Sequence, residues 1–183
     1  MLVIAVFKDM YLIMHIGDGV IGYLDSAELK IASLPENGEF VNETTFLTSN
    51  EAIFSMRLFK GKINDIAGFV IMSDGTEQSL YHKSTKALAK AIIRLMQRTC
   101  ILNPITLKKQ LVDVFSTIIA KNTQDDCSIA ILARPIGILR GYHDLTTLEK
   151  CEILKLCPES PKAIKKINWY NNIICFLDPP KFR

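Results

Sequence analysis

The chain has 183 residues, 49% of them hydrophobic and 22% charged, with a formal net charge of +3. That is enough for one domain with a real core, and it excludes a disordered chain or a fibre. The positive excess falls on residues 140–183, which carry eight Lys/Arg against five Asp/Glu, so the neutral body lacks the clustered cations that broad nucleic-acid binding needs.

The five cysteines are an odd number scattered through expected helices and strands, which fits reduced thiols better than a disulfide framework. With no Cys-x-x-Cys pair and three histidines, the sequence argues against zinc. The apolar run Leu2–Phe7 is cut off by Lys8-Asp9, too soon for a signal-peptide core or a membrane span. A cytoplasmic protein is the expectation.

In chain order, Leu2–Phe7, Tyr11–Ile16, Val20–Leu24 and Glu28–Leu34 read as four short strands. Lys8-Asp9, Gly17-Asp18-Gly19 and Asp25-Ser26 are compact turns between them, which predicts an antiparallel meander. Residues 35–50 form a polar loop. Ala52–Phe59 reads as a strand, Lys60–Asn64 as a turn, and Ile66–Met72 as a strand apolar enough to be buried. The period then changes: Leu88, Ala91, Ile92, Leu95 and Met96 repeat at helical spacing within 84–99. Asn103-Pro104 is a cap followed by proline at the first helical position. Leu107, Leu111, Val114, Phe115, Ile118 and Ile119 mark the inner face of a second helix. Two such helices in succession are expected to lie antiparallel with their apolar stripes on a sheet. Cys127–Ala133 reads as a last strand. Beyond Arg134-Pro135, helical patterns over Thr147–Leu156, Pro161–Ile167 and Trp169–Leu177 suggest a small lobe with Lys162, Lys165 and Lys166 on its surface. The expected organisation is a body over residues 1–134 and a helical tail lobe over 135–183.

Three acids stand at strand ends. Gly68–Met72 runs into Ser73-Asp74-Gly75, Asp18 lies between two apolar runs, and Asp125-Asp126 open the run Cys127–Ala133. A carboxylate at a strand end must find water, a donor or a cation, and three of them suggest a hard-cation site on the rim of a sheet.

The ordered set His15-Ile16-Gly17-Asp18-Gly19, Met72-Ser73-Asp74-Gly75 and Asp125-Asp126-Cys127-Ser128-Ile129-Ala130 resembles the second half of a type-2C (PPM) metal-dependent Ser/Thr phosphatase domain, bacterial branch. The loop from Gly38 to Thr48 is similar to the segment that bacterial members carry between those motifs. The resemblance implies an α+β fold, an antiparallel β-sandwich flanked by an antiparallel helix pair, here in part and followed by a small C-terminal helical appendage. It implies phosphoester hydrolysis by water bridging two Mg²⁺ or Mn²⁺ ions, with a phosphoprotein as substrate. Asp74 and Asp125 match the family's two C-terminal metal ligands, and Asp18 matches a position near a weaker third metal. The remaining partner of that third ion falls at Gln78, where many members have an acid. The family's N-terminal half, with its Asp-Gly-x-Gly segment and bridging carboxylate, has no counterpart before Leu2. A site made of Asp74 and Asp125 alone is expected to hold one loose, hydrated ion, because two ions about 3.5–4 Å apart need a shared ligand.

Plainer roles stand beside these. Asp74 can cap the turn after its strand, Asp125-Asp126 can close a helix–strand loop, and Gly-Asp-Gly makes a good hairpin turn. His15 and His82 read as strand or loop residues, Asn42 and Glu43 as loop hydrogen-bonders, Cys127 as a small core residue and Trp169 as a tail anchor. Three functions follow: a phosphatase whose active site is completed by further ligands, an inactive relative acting as a protein-binding or regulatory module, or a regulator whose tail touches nucleic acid. Sheet edges left open by absent strands predict self-association.

Overall fold

The computed structural model describes residues 1–35, 48, 52–156 and 174–175. Two antiparallel sheets and a helical layer stack on one another. Sheet A holds β1 (Leu2–Phe7), β2 (Met10–His15) and β5 (Arg57–Lys62) in the order β1-β2-β5. Sheet B holds β3 (Val20–Asp25), β4 (Glu28–Ser33), β6 (Ile66–Met72), β9 (Ile129–Ala133) and β10 (Ile174–Cys175) in the order β10-β9-β6-β3-β4. A small hairpin, β7 (Tyr81–His82) with β8 (Ala87–Leu88), precedes the helices.

The strand β6 is buried on both faces except at Ile71, which is why its sequence is a continuous apolar run rather than an alternation. One face meets sheet A in a core of Ile13, Ile21, Ile63, Ile66 and Phe69, with the Tyr11 ring 5.2 Å from that of Phe69. The other face, through Val70 and Met72, meets the larger core that includes Ile92, Met96, Leu107 and Leu111. These come from α3 (Ala91–Ile101), which lies across β9, and from α4 (Pro104–Thr117). The start of α4 follows the expected chemistry. Asn103 is extended, its side chain accepts a hydrogen bond from the Thr106 amide at 2.9 Å, and Pro104 sits at the first helical position. The Ile118 side chain, expected on the inner face, is exposed because α4 ends before it and a 3-10 turn follows.

Several local readings differ from the fold. The first four strands do not form one meander: β1 pairs with β2, β3 pairs with β4, and the chain crosses between sheets at Gly17–Gly19. Gly19, at φ +104°, makes that corner where a Cβ would stand 2.7 Å from the Met72 carbonyl, so the Gly-Asp-Gly sequence serves a corner and not a hairpin. Ala52–Ser55 is a helical turn, α1, and the strand begins only at Arg57, where it pairs with His15. That pairing continues to Met10 opposite Lys62, which moves the expected turn to Ile63–Asp65. Arg134 fastens that turn to the end of β9 by donating to the carbonyls of Ile66, Ile63 and Asn64. Leu88 is buried as expected, but in β8 rather than in a helix.

Beyond Ala133 the helix over Thr147–Leu156 is present as α5. Ile174–Cys175 lies within the stretch read as a third helix, yet its backbone pairs antiparallel with β9. The Gly38–Leu47 stretch of the phosphatase-like loop, Asn42 and Glu43 within it, and Pro161–Ile167, Lys162, Lys165, Lys166 and Trp169 lie outside the described residues.

His15, at the end of β2, is fully buried. Its Nδ1 lies 2.7 Å from Ser33 Oγ, and the Arg57 guanidinium lies 3.2 Å from the same nitrogen. Burial, aided by the Arg57 charge, lowers its pKa from 6.5 to about 4. The unfolded chain therefore takes up a proton that the folded chain refuses, and stability falls as pH drops from about 6.5 towards 4. Each pH unit in that window costs about 1.4 kcal/mol. Urea unfolding at pH 7.0 and pH 4.5 is expected to show a loss roughly 2–3 kcal/mol larger for the native chain than for His15→Gln.

Candidate metal centre

Antiparallel pairing dictates where the three acids fall. In sheet B, β6 lies between β9 and β3 and runs antiparallel to both. The end of β6 is therefore flanked by the starts of its two neighbours. Met72 pairs with Val20 on one side and with Ile129 on the other. Asp74 follows Met72 by two residues, Asp18 precedes Val20 by two, and Asp125 precedes Ile129 by four. All three acids sit at one end of one sheet, and all are exposed.

The chain does not turn at Asp74-Gly75 as a plain Asp-Gly would suggest. Asp74 opens α2 (Asp74–Leu80), with Ser73 extended before it. Ser73 is occupied elsewhere: its hydroxyl donates to the Asp126 carbonyl at 3.0 Å and accepts from the Ser128 amide at 2.9 Å. Its own amide donates to the Ser128 carbonyl at 3.1 Å, an oxygen that also accepts from the Thr76 hydroxyl at 2.9 Å. These bonds strap the first turn of α2 to the segment 125–128. Gly75 completes the contact, because a Cβ there would stand 2.7 Å from the Asp126 carbonyl oxygen and 3.0 Å from that of Asp125. Only a residue without a side chain lets the two segments meet this closely.

The carboxylates themselves have local donors. Asp74 Oδ1 accepts from the Gly75 amide at 2.9 Å, and Asp125 Oδ2 accepts from Gln78 Nε2 at 3.2 Å. Gln78 thus stands on Asp125, where an acid would have repelled it. Cys127 records the shared field of the rim. Partial burial raises its thiol pKa, and the charges of Asp125, Asp126 and Asp74 raise it further, so Cys127 is a poor nucleophile at neutral pH. The second acid of α2, Glu77, is buried and pairs with Lys83 at 3.0 Å. His82 is an exposed residue of the small hairpin.

The structure thus brings the segments of Asp74 and Asp125 into contact and sets the Asp18 corner at the same end of the sheet, against Met72. Among the described residues no three His, Cys, Asp or Glu side chains form a group able to hold a metal ion. The donor set does not fit a two-ion cluster. The sequence reading missed Ser73, Thr76 and Ser128 as the fasteners of the site. The signal was there in Ser73-Asp74-Gly75-Thr76-Glu77, a capping-type residue followed by acids in a first helical turn.

Residues 1–116 match the protein phosphatase 2C family, and the chain belongs to that family. The matched span includes Asp18 and Asp74 and ends before Asp125. Among solved structures, the serine/threonine phosphatase Stp1 from Staphylococcus aureus is similar at 18% identity and a TM-score of 0.49, over 74% of this chain and 56% of that one. A bacterial serine phosphatase is similar at 15% identity and a TM-score of 0.48, over 76% of this chain and 57% of that one. The chain spans a little over half the length of these structures. No curated protein sequence matches it. Among the described residues no helix is long and apolar enough to cross a membrane.

An alanine in place of an exposed helical glycine ordinarily stabilises by about 1 kcal/mol. At Gly75 the sign is expected to reverse, because the new methyl meets backbone that cannot rotate away. Gly75→Ala is expected to lower stability by roughly 1–3 kcal/mol in urea unfolding.

Proposed function

We propose that the chain carries the C-terminal metal-ligand pair of a phosphatase 2C-type site, Asp74 and Asp125, and acts on a Ser/Thr phosphoprotein once further ligands complete that site. The observation that carries this reading is the strapping of the Asp74 turn to the Asp125 segment through Ser73 and Gly75. It brings the backbone segments that carry the two acids together on one rim, and oxygen donors of this kind are what a hard divalent cation such as Mg²⁺ or Mn²⁺ prefers. Asp18 contributes from the adjacent corner to a more weakly held ion. Residues 1–134 form the phosphatase part of a cytoplasmic protein. Residues 135–183 are read as an appendage to that part, a reading supported by the pairing of Ile174–Cys175 with β9.

A second reading has its own support. Gln78 places an amide on Asp125 Oδ2, so the rim is satisfied without a metal, as suits a relative that binds proteins and catalyses nothing.

Calorimetric titration with Mn²⁺ is expected to show one weak site, weakened about tenfold or more by Asp74→Asn or Asp125→Asn, equivalent to about 1.4 kcal/mol or more. Equal Mn²⁺ binding by the native chain and both variants sinks the ligand assignment. Hydrolysis of p-nitrophenyl phosphate under Mn²⁺ saturation then separates the readings. A rate above background that Asp74→Asn abolishes supports the enzyme, and a background rate with Mn²⁺ bound supports the binding module.

A further inference from the structure

The body of the chain is neutral in total, yet its charge is unevenly placed. Residues 78–112 hold seven Lys or Arg and no Asp or Glu. They form the end of α2, the small hairpin, α3 and most of α4. The helical layer on sheet B is therefore basic, while the rim at the end of that sheet is acidic.

The charges fall in a line. Lys90, Arg94 and Arg98 are four residues apart, slightly more than one turn, so they follow one another at intervals of about 6 Å along one side of α3. That side is opposite the one that buries Ile92, Leu95, Met96 and Cys100. Lys90 and Arg94 are exposed and Arg98 is half-buried, and Lys86 is exposed in the hairpin turn just before the helix. Two neighbouring cations have acids of their own: Lys83 pairs with Glu77 at 3.0 Å, and Arg140 pairs with Glu149. Lys86, Lys90, Arg94 and Arg98 make no ion pair with any described residue.

This placement works against the helix. Like charges at i and i+4 repel on a helix surface, and a cation at the first turn meets the positive end of the helix dipole. Lys90 stands at the N-cap with no capping hydrogen bond from its side chain, and the first turn has no acid. A local rule broken without local compensation is the usual mark of a functional surface.

We propose that this face docks an extended, acidic segment of another protein. An extended chain sends alternate side chains to one side at intervals of about 6.6 Å. Carboxylates at every second position therefore fall into step with Lys90, Arg94 and Arg98. Other occupants fit less well. Residues 83–114 contain no aromatic residue, so the stacking platform that single-stranded nucleic acid uses is missing. Between Tyr81 and Ile101 no large apolar side chain is exposed, so nothing there inserts into a bilayer. The chain's own residues 157–183 carry five Lys or Arg against two Asp or Glu and share the sign of the face. Each solvated ion pair is screened by salt and weak singly, so the docking rests on the row acting together.

The docking is independent of metal and of phosphoester hydrolysis, and it is measured without either. Fluorescence anisotropy of a labelled peptide of alternating Glu and Ser, in low salt, is expected to show saturable binding that added NaCl weakens. Lys90→Glu together with Arg94→Glu is expected to weaken it about tenfold or more, because attraction becomes repulsion at two positions. Lys90→Gln with Arg94→Gln, which removes the charges without reversing them, is expected to give a smaller loss. Reversal at Lys60 and Lys62, exposed on β5 of sheet A, changes the net charge as much as the first pair and is expected to cost far less binding. Thermal unfolding followed by circular dichroism checks the fold: with the repulsion in α3 relieved, Tm is expected to stay level or rise. Equal weakening by the two charge-reversed pairs overturns the proposal. So does no binding by the native chain, which leaves the face to the chain's own Glu36, Glu39, Glu43 and Glu51. Tighter binding of duplex DNA or of anionic vesicles, lost with Lys90→Glu and Arg94→Glu, overturns the choice of partner.

Discussion

The burial of β6 on both faces is the constraint from which the rest of the structure follows. A strand with apolar residues in both directions cannot stand at a surface. It needs a sheet on one side and helices on the other, and it needs neighbours on both edges for its backbone groups. Here β3 and β9 supply the edges, sheet A supplies one cover, and α3 with α4 supply the other. Because both neighbours run antiparallel, the place where β6 emerges is also where β3 and β9 begin. Residues as far apart in the chain as Asp18, Asp74 and Asp125 reach one rim for that reason alone.

Much of this was legible in the sequence, and what was not has physical causes. The continuous run Ile66–Met72 marked the central strand, and Asn103-Pro104 marked the start of α4. The 3.6-residue period picked out Ile92, Leu95 and Met96 of α3 and Leu107 and Leu111 of α4 as buried, though Leu88 is buried in β8 and Ala91 and Ile118 are exposed. The sheet change at Gly17–Gly19 was hidden because a corner between sheets and a hairpin turn call on the same glycines. Only the partners, β1 for β2 and β4 for β3, distinguish them. The start of α2 was hidden because Asp-Gly is common in turns, and tertiary bonds through Ser73 and Thr76 decide for the helix. The two-residue strand Ile174–Cys175 is too short to leave any period.

The rim itself divides in the same way. That Asp74 and Asp125 share an end of the sheet could be read from the order of elements. That Gly75 must lack a side chain, or that Gln78 reaches Asp125, depends on how closely the first turn of α2 approaches the segment 125–128. Distances of that kind are set by packing across about fifty residues of sequence, and no local pattern encodes them.

Those close contacts also govern what the rim can do. Like charges gathered at one end of a sheet disfavour each other, and an acidic rim needs either a cation or donors to offset the repulsion. This chain supplies donors: the Gly75 amide for Asp74 and the Gln78 amide for Asp125. A divalent ion arriving here does not fill an unsatisfied site. It would compete with Gln78 for one oxygen of Asp125, or would take the carboxylate from another side. An acid at position 78 would add a ligand and raise the repulsion that a cation relieves, whereas the amide lowers both. Position 78 therefore sets how much of the rim's repulsion is offset within the chain, with Asp74 and Asp125 unchanged.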